Sequence, residues 1–500
     1  MRGFLDARAV PSGTVLDTDL AIAGGGPAGI SLALALAGSG IRVLLLESGG
    51  MAFEGKTQAL YTGAETGVRY IPLEASRLRF LGGSSNHWGG WCRPLDAIDF
   101  EARPWLAHSG WPITKSALAP YYERAQSLVE AGPFIYDDQA RWTSALGAPI
   151  ALGDGGVRTT YFQFSKQRDN VLPTHFGERY ADDLKKVGNL SVMLHANVTR
   201  LRLTPDARSI NRMDVATLSG KRFVVKPKCT VLATGGVETP RLLLASNDVM
   251  PNGIGNAHDL VGRFFADHPI PGNTAIIVLF GGNISSYYQQ AQPAYGAIFR
   301  AAFTPHESYQ RQAGVLCSLA TLEGEVQLDS IGRAAVAETA AAFGIEAANM
   351  RAFTLGCGME IAPDPDRRLT LTREKDALGM PRLKLDMHIA DSDFAHYRAT
   401  LAELGRQMLA ARTGMVRILH KTRDEWMSVM DWGNHHMGTA RMSLDPKSGV
   451  VDANSQVHGV RNLFVAGSSV FPTYGASNPT LNLVALTLRL ADHLKSWFRS

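Results

Sequence analysis

The 500-residue sequence contains few cysteines, no long apolar run and little net charge. Its cysteines, Cys92, Cys229, Cys317 and Cys357, are widely separated and form no CxxC pair, which argues against a disulfide framework or a zinc site. No stretch of about 18 apolar residues is present, so we expect no membrane-spanning helix. A net charge of +4 without a long basic run gives no reason to expect binding to nucleic acid.

The N-terminal segment MRGFLDARAVPSGTVLDTD has no apolar core of the length found in signal peptides. We therefore expect a cytoplasmic protein with reduced thiols, with export alongside a partner subunit as the alternative. The composition, 45% hydrophobic and 19% charged, is that of a globular protein. Because 500 residues exceed the usual size of one hydrophobic core, we expect two or three domains.

A glycine-rich turn near the N-terminus stands between two apolar runs. Residues 19–23 read DLAIA, GGGPAG follows, SLALALAGSG has a helical pattern, and IRVLLLE ends at Glu47. The order strand, turn, helix, strand predicts a βαβ unit. Gly24, Gly26 and Gly29 form GxGxxG, which permits a tight turn, close approach of backbone to a diphosphate, and close helix–strand packing. With Glu47 placed to accept hydrogen bonds from ribose hydroxyls, the segment predicts dinucleotide binding.

Five further segments are weak signals one by one, but their joint order is specific. They are FLGGSSNHWGGWCRP (80–94), ANVTRL (196–201), VLATGGVETPRLLL (231–244), VGRFFADHP (261–269) and DPDRRLTLT (364–372). With these motifs the chain resembles the glucose–methanol–choline (GMC) oxidoreductase family. GGSSNHWGG and NPTLNLVAL are most similar to its bacterial sugar-oxidising branch of pyranose oxidases, glycoside 3-oxidoreductases, and gluconate and fructose dehydrogenases. The resemblance implies oxidation of a primary or secondary alcohol of a sugar or glycoside to the carbonyl. The chemistry it implies is proton abstraction with hydride transfer to N5 of FAD.

The resemblance and the strand and helix patterns together predict an α/β plus α+β fold. A Rossmann-like FAD-binding domain is interleaved with a substrate domain built on an antiparallel sheet with helices. The expected boundaries are 15–100, 191–269 and 431–500 for the FAD-binding domain, 101–190 for a substrate or cap segment, and 270–430 for the substrate-binding domain. The last FAD-binding part carries the catalytic residues.

The segment NHHMGTARM contains two adjacent histidines. In the family the catalytic histidine stands three residues before the glycine of a Gly-Thr/Ser pair, and counting back from Gly438 selects His435. His436 is left for packing or support, and the family's second catalytic position falls on Asn478. A neutral imidazole accepts the hydroxyl proton because its pKa lies near working pH, and an Asn amide can hydrogen-bond the same oxygen. The alternative role for Asn478 is the N-cap of the helix that follows it.

The resemblance also implies residues that contact FAD: Gly24, Gly26, Pro27, Ala28, Gly29, Glu47, Ser48, Gly83, Ser84, Asn86, His87, Trp88, Val198, Ala233, Ser468, Pro479 and Thr480. His87 matches the histidine that bonds covalently to the flavin in pyranose oxidases. Because Asn86 replaces the threonine found there, the alternative is that His87 only lines the dimethylbenzene edge. The helix from Pro479 would turn its positive N-terminus toward the N1/C2 region of reduced flavin. Ala466 stands where many family members have an acidic residue, which leaves Ser468 or a backbone group for that contact.

Two other polar clusters receive different interpretations. His388 and His396 lie near Asp391 and Asp393 but match no known ligand spacing, so we expect no metal. The segment NISSYYQQAQ carries the amides, hydroxyls and aromatic faces that suit a sugar, with a surface loop as the alternative. Its polar residues are Asn283, Ser285, Ser286, Tyr287, Tyr288, Gln289, Gln290 and Gln292.

The expected partners are a small-molecule alcohol or sugar and an electron acceptor, which is oxygen, a quinone or another protein. A homo-oligomer is compatible with the sequence. Four rival functions stay open: a GMC enzyme for a non-sugar alcohol, an FAD-binding lyase without redox chemistry, an NAD-dependent dehydrogenase that shares GxGxxG, and a non-catalytic flavin-binding protein.

Overall fold

The computed structural model describes residues 3–166, 173–281, 284–346 and 349–500. Within these ranges the strands are β1 (Gly3–Asp6), β2 (Val15–Ala23), β3 (Val43–Leu46), β4 (Ala64–Gly67), β5 (Trp91–Cys92), β6 (Val157–Phe164), β7 (Leu190–Leu194), β8 (Asn197–Leu203), β9 (Ile210–Ala216), β10 (Arg222–Leu232), β11 (Ala275–Leu279), β12 (Gln292–Ala294), β13 (Ala297–Pro305), β14 (Ser318–Val326), β15 (Arg351–Met359), β16 (Arg368–Lys375), β17 (Pro381–Met387), β18 (Gly414–Ile418) and β19 (Leu463–Val465). The α-helices are α1 (Pro27–Ala35), α2 (Gly55–Gln58), α3 (Lys115–Leu128), α4 (Gln139–Leu146), α5 (Phe176–Lys186), α6 (Gly235–Ala245), α7 (Glu307–Ala313), α8 (Ser330–Ala342), α9 (Asp391–Ala410), α10 (Arg423–Ser428) and α11 (Pro479–Trp497).

The first sheet has the order β1-β7-β3-β2-β10-β9-β8, with β19 paired to β10. Its central pairs are parallel, whereas β8, β9 and β10 pair antiparallel. The predicted βαβ unit is confirmed as β2, α1 and β3. β2 begins at Val15, earlier than the apolar run suggested, because its first residues pair with Val224–Lys226 of β10. β1 was not predicted; it pairs with β7 at the edge of the sheet.

The second sheet has the order β18-β11-β15-β14-β13-β6-β5, with β12 paired to β13. Its neighbours run antiparallel, as the alternating patterns after residue 270 predicted. A three-stranded sheet, β16-β17-β4, joins chain segments that lie far apart in the sequence. The predicted fold class, an interleaved α/β and α+β architecture with a Rossmann-like part, is confirmed.

Helices cover both large sheets. α1 packs against α5 and α11, and α11 also packs against α3, while α9 lies on β6, β13 and β18. One hydrophobic cluster includes Leu20 of the first sheet and Phe299 of the second, so the two sheets share a core. Across the described ranges, the structure contains no helix with both the length and the apolar character needed to span a bilayer.

Candidate active site

The glycine turn after β2 brings three backbone segments into close approach. Gly24 has φ +105°, and a Cβ there would lie 2.4 Å from the carbonyl oxygen of Ala233. A Cβ on Gly29 would lie 1.9 Å from the carbonyl oxygen of Gly24. A Cβ on Gly26 would meet nothing within 4 Å. Gly24 and Gly29 therefore allow tight packing, whereas Gly26 leaves open space at the N-terminus of α1.

Glu47 follows β3 and turns its carboxylate toward this glycine turn. The side chain is buried, and its two oxygens accept hydrogen bonds from the N–H groups of Gly25 and Gly49, each at 2.7 Å. The hydroxyl of Ser48 donates to the same carboxylate at 3.2 Å. Three donors hold the carboxylate at the edge of the parallel strands, which is where a dinucleotide ribose is bound in such folds.

A cleft of about 1670 Å³, including its open mouth, begins at this turn. The cleft is lined by most of the residues expected to contact the cofactor: Gly24, Gly26, Pro27, Ala28, Glu47, Ser48, Gly83, Ser84, His87, Trp88, Val198, Ala233, Ser468, Pro479 and Thr480. Gly29 and Asn86 do not line it. Gly29 lies behind the turn, at the contact with Gly24, and the Asn86 amide donates to the carbonyl of Leu81 at 3.0 Å. The expected contacts of Gly29 and Asn86 with the cofactor stay predictions.

His435 and Asn478 lie together in the wall of the cleft. The Nδ2 atom of Asn478 is 3.3 Å from Nε2 of His435. Asn478 occupies the N-cap position of α11 with Pro479 first in the helix, but its side chain makes no capping hydrogen bond. The capping role considered from the sequence is therefore wrong for the side chain, which points to His435 instead.

Asp267 and His268, for which the sequence suggested no role, both hydrogen-bond His435. The Nδ1 atoms of His268 and His435 lie 2.8 Å apart. The fully buried Asp267 carboxylate accepts hydrogen bonds from the N–H groups of His268 and His435, each at 2.7 Å, and from the hydroxyl of Tyr70 at 2.5 Å. Asp267 and His268 stand just before the final proline of the motif VGRFFADHP.

Burial governs the protonation of these groups. Burial lowers the pKa of His435 well below its ordinary value, and the neighbouring rings of His268 and His436 lower it further. Burial likewise lowers the pKa of His268 to about 4. Burial raises the pKa of Asp267 to about 7, against the lowering effect of its hydrogen-bond donors. His435 and His268 are therefore neutral at ordinary pH.

The second histidine of the pair occupies different surroundings. The ring of His436 packs on Phe265, with centroids 5.7 Å apart, and lies 6.4 Å from the ring of Tyr70. Its Nε2 atom is buried without a hydrogen-bond partner among the described residues, and the residue lines the cleft. Burial, with the nearby charge of Arg77, lowers its pKa to about 3. His436 is thus a neutral ring at the cofactor cleft, separate from the His435–Asn478 pair.

A cluster of buried charges forms another part of the wall. Arg77 and Arg79 lie over the ring of Tyr61, at 3.9 and 4.6 Å from its centroid. Both guanidinium groups pair with Glu238, at 3.1 and 3.2 Å. Burial raises the pKa of Glu238, but these arginines and Arg241 outweigh it and lower the pKa to about 2. Arg241 also pairs with Glu238 and with Asp376, and Glu47 lies near Arg79, so the three arginines of this cluster are matched by three carboxylates.

The remaining sequence expectations lie outside the cleft. His388 pairs with Asp364 at 2.6 Å, and the described residues contain no group of three side chains suited to a metal ion. In the segment NISSYYQQAQ, Tyr287 and Tyr288 are fully buried, and Tyr288 hydrogen-bonds Thr159 at 2.6 Å. None of its described residues lines the cleft, and Asn283 lies outside the described residues, so the suggested contact of this segment with a sugar stays a prediction.

Comparison with known families agrees with this geometry. Residues 19–251 match the family model described as FAD dependent oxidoreductase, and residues 363–487 match the model described as GMC oxidoreductase. Together the two matches cover more than half of the chain. The chain belongs to the GMC oxidoreductases. The sequence-based recognition of this family is confirmed, as is the dependence on FAD.

The names of three curated relatives of this GMC oxidoreductase indicate different alcohol substrates. The fructose dehydrogenase large subunit of Gluconobacter japonicus is 30% identical over 277 residues, 54% of this chain and 47% of that one. The 2-methyl-1,2-propanediol dehydrogenase of Mycolicibacterium austroafricanum is 24% identical over 96% of both chains. The C-glycoside 3-oxidase of Microbacterium trichothecenolyticum is 28% identical over 61% of this chain and 54% of that one. The first and third matches thus span about half of each relative.

A solved structure supports the fold. Pyridoxine 4-oxidase from Mesorbium loti superposes with a TM-score of 0.59 at 19% identity, covering 95% of this chain and 99% of that one. At this identity the likeness concerns the fold alone.

The cleft of this GMC oxidoreductase fits FAD. The open space at Gly26 lies at the N-terminus of α1, where free N–H groups and the helix dipole favour a diphosphate. The unpaired Nε2 of His436 offers a hydrogen bond to a polar atom in the cleft. The residues present therefore fit a flavin dinucleotide, with open space and a helix N-terminus for the diphosphate and hydrogen-bonding capacity in the cleft.

Proposed function

We propose that this GMC oxidoreductase oxidises a primary or secondary alcohol of a sugar or glycoside to the carbonyl. His435 takes the hydroxyl proton at Nε2, and the Asn478 amide donates a hydrogen bond to the same oxygen. When bound, FAD supplies the acceptor for the hydride that leaves the carbon. Atoms and electrons balance, since the alcohol loses one proton and one hydride.

The approach of His435 Nε2 to Asn478 Nδ2 carries this proposal. The two atoms lie 3.3 Å apart on the cleft wall, so a single hydroxyl oxygen can contact both. The imidazole is neutral and offers a lone pair, whereas the amide donates a hydrogen bond and does not compete for the proton. Holding the oxygen between two fixed groups aligns the C–H bond toward the cofactor.

The names of two relatives support the substrate class. One is a fructose dehydrogenase large subunit and another is a C-glycoside 3-oxidase. The specific rival is a non-sugar diol, because the 2-methyl-1,2-propanediol dehydrogenase is matched over 96% of both chains. The electron acceptor is oxygen, a quinone or another protein, since both oxidases and dehydrogenases occur among these relatives.

Anaerobic bleaching of the flavin absorbance tests both the reaction and the substrate. The purified protein is mixed with D-fructose, D-glucose, a methyl glycoside, a C-glycoside, 2-methyl-1,2-propanediol and a long-chain alcohol. We expect a sugar or glycoside to bleach the flavin fastest. Faster bleaching by the diol or the long-chain alcohol would replace the sugar assignment. A yellow protein that no alcohol bleaches would contradict the oxidoreductase proposal and favour the lyase or binding functions.

A further inference from the structure

We propose that His268 is a positioning residue that fixes the tautomer of His435 and keeps its Nε2 atom free of hydrogen. The inference rests on the proposed function, in which that Nε2 accepts the substrate proton. It concerns a residue that touches neither the cleft nor the proposed substrate position. A line of hydrogen bonds runs from the carbonyl of Gly475 through His268 to His435 in the cleft wall.

The first step is the bond between His268 and Gly475. Nε2 of His268 lies 2.9 Å from the carbonyl oxygen of Gly475. A carbonyl oxygen can only accept, so His268 must carry its hydrogen on Nε2. Because burial keeps the ring neutral, its Nδ1 atom then holds a lone pair.

The tautomer of His268 determines which ring nitrogen of His435 carries the hydrogen. The two Nδ1 atoms lie 2.8 Å apart, and a bond at that distance needs one hydrogen. Since Nδ1 of His268 has none, Nδ1–H of His435 is the donor. A neutral His435 therefore has a lone pair on Nε2, the atom that Asn478 approaches at 3.3 Å. This is the tautomer that a general base at the cleft requires.

Backbone pairing fixes the positions of His268 and His435 relative to each other. The segment around His268 pairs antiparallel with the segment around His435 through bridges at Ala266–Met437 and Pro269–Trp432. Gly433 N–H donates to the carbonyl of His268 at 2.9 Å, which ties the two segments between those bridges.

The carbonyl that begins the line is fixed as well. Gly475 has φ +55°, and a Cβ on it would lie 2.6 Å from the carboxylate of Asp99. The ring of Tyr474 packs edge-on against His268, with centroids 4.9 Å apart. Reversing the tautomer of His268 would place two lone pairs together at the Gly475 carbonyl, and a buried unpaired acceptor costs about 1–3 kcal/mol.

Two substitutions at position 268 separate this role from simple packing. His268→Leu fills similar space but offers no acceptor to His435, whereas His268→Asn can present its Oδ1 atom where Nδ1 stood. Both remove the bond to Gly475, so they differ in the acceptor that faces His435. His388→Asn is the matched control, because His388 pairs with Asp364 outside the cleft.

The first readout is the tautomer itself. The FAD-loaded protein is labelled with ¹⁵N-histidine, and the His435 signals are assigned by their loss in His435→Ala. We expect hydrogen on Nδ1 and a bare Nε2 in the unchanged protein and in His388→Asn. In His268→Leu we expect the hydrogen to move to Nε2 in at least part of the population. An unchanged His435 tautomer in His268→Leu overturns the proposal, whatever happens to activity.

The second readout is the anaerobic rate of flavin reduction by substrate. Loss of the general-base tautomer should slow reduction by about 10²–10⁴-fold in His268→Leu, and His268→Asn should recover at least part of the loss. Equal slowing in both variants with an unchanged tautomer would indicate packing alone and would contradict the inference. If His435→Ala reduces at the normal rate, the proposed base is wrong, while the tautomer measurement still decides the role of His268.

Discussion

His435 and His436 are neighbours in the chain, yet their rings enter different surroundings. His435 reaches Asn478 and His268, and His436 packs on Phe265 and faces the cofactor cleft with one unpaired nitrogen. Both are neutral because burial lowers the pKa of each. What distinguishes them is therefore the set of contacts, and the pair formed with Asn478 is the arrangement that suits a base.

Substitution of His435 and substitution of His436 should have different effects on the rate of flavin reduction. We expect His435→Ala to bind FAD and to slow flavin reduction by about 10²–10⁴-fold, because the proton acceptor is lost. His436→Ala should slow reduction much less, since Asn478 hydrogen-bonds His435 and the proposed proton acceptor is unchanged. Anaerobic stopped-flow reduction measures both, with each variant first checked for full flavin occupancy by its absorbance. If His436→Ala reduced its flavin slowly and His435→Ala reduced it at the normal rate, His436 and not His435 would be the proton acceptor.

His87 tests the attachment of the cofactor. The residue lines the cleft, and the neighbouring Asn86, which stands where pyranose oxidases have threonine, turns away to the carbonyl of Leu81. We expect acid precipitation to release the flavin into the supernatant, because we assign His87 to lining the ring edge. Yellow colour that stays in the pellet, and that His87→Ala moves to the supernatant, would instead show a covalent bond.

At the scale of an element, the turn between β2 and α1 offers a matched pair of glycines. A Cβ on Gly29 would lie 1.9 Å from the Gly24 carbonyl, whereas a Cβ on Gly26 would enter open space. Gly29→Ala should therefore lower the melting temperature of the protein with and without FAD. Gly26→Ala should leave the fold intact and weaken FAD binding, because its methyl group occupies the diphosphate position.

Circular dichroism melts and flavin titration of the apoprotein measure the two effects separately. Normal FAD affinity in Gly26→Ala would mean that the diphosphate does not approach this glycine. Normal stability in Gly29→Ala would mean that the turn can open without cost. Either result would contradict the use of the turn described here.

The elements with strong local patterns were predictable. The apolar runs around the glycine turn gave β2, α1 and β3, and Asn478-Pro479 marked the start of α11. β1 was missed because GFLD is short and gains its place by pairing with β7. Tyr287 and Tyr288 of NISSYYQQAQ lie in an aromatic cluster, and composition alone could not predict that burial.

At the scale of the molecule, the candidate site is assembled from distant segments. His268 and His435 are 167 positions apart, and Gly475 completes their line from just before α11. The family motif gave His435 and Asn478, but the contact between His268 and His435 follows from backbone pairing that no local pattern encodes. The predicted domain boundaries stay a prediction, although the two large sheets do draw on alternating stretches of the chain.

Asp99 lies against Thr473 and Gly475, which are far from it in the sequence. Its backbone carbonyl accepts a hydrogen bond from Thr473 at 2.6 Å, and its carboxyl lies against Gly475. Burial, with the nearby carboxylates of Glu360 and Asp96, raises the pKa of Asp99 from 3.8 to about 8. The folded protein therefore keeps a proton on this group at pH values where the unfolded chain has lost it.

This shift sets the sign of a pH effect on stability. The contribution of Asp99 to the free energy of unfolding is fully present below its ordinary pKa of 3.8 and is lost as pH rises toward about 8. Between these values the folded protein still holds the proton, whereas the unfolded chain has released it. Asp99→Asn removes that dependence. We expect the stability of the unchanged protein relative to Asp99→Asn to fall with rising pH, by up to about 1.4 kcal/mol per unit. Thermal unfolding of the FAD-loaded proteins at several pH values measures the difference.

Asp19 provides the control of opposite sign. Its hydrogen bond to Arg42, with a further one to Lys228, lowers the pKa of its carboxyl well below the ordinary value. Its contribution is therefore present at neutral pH and is lost in acid, so the gap between the unchanged protein and Asp19→Asn should grow as pH rises from the acid range. Opposite trends for the two variants would show that the folded protein holds a proton on Asp99 at pH values above its ordinary pKa. A gap for Asp99→Asn that does not change with pH would mean that Asp99 is ionised in the fold, with Arg103 as its counter-charge.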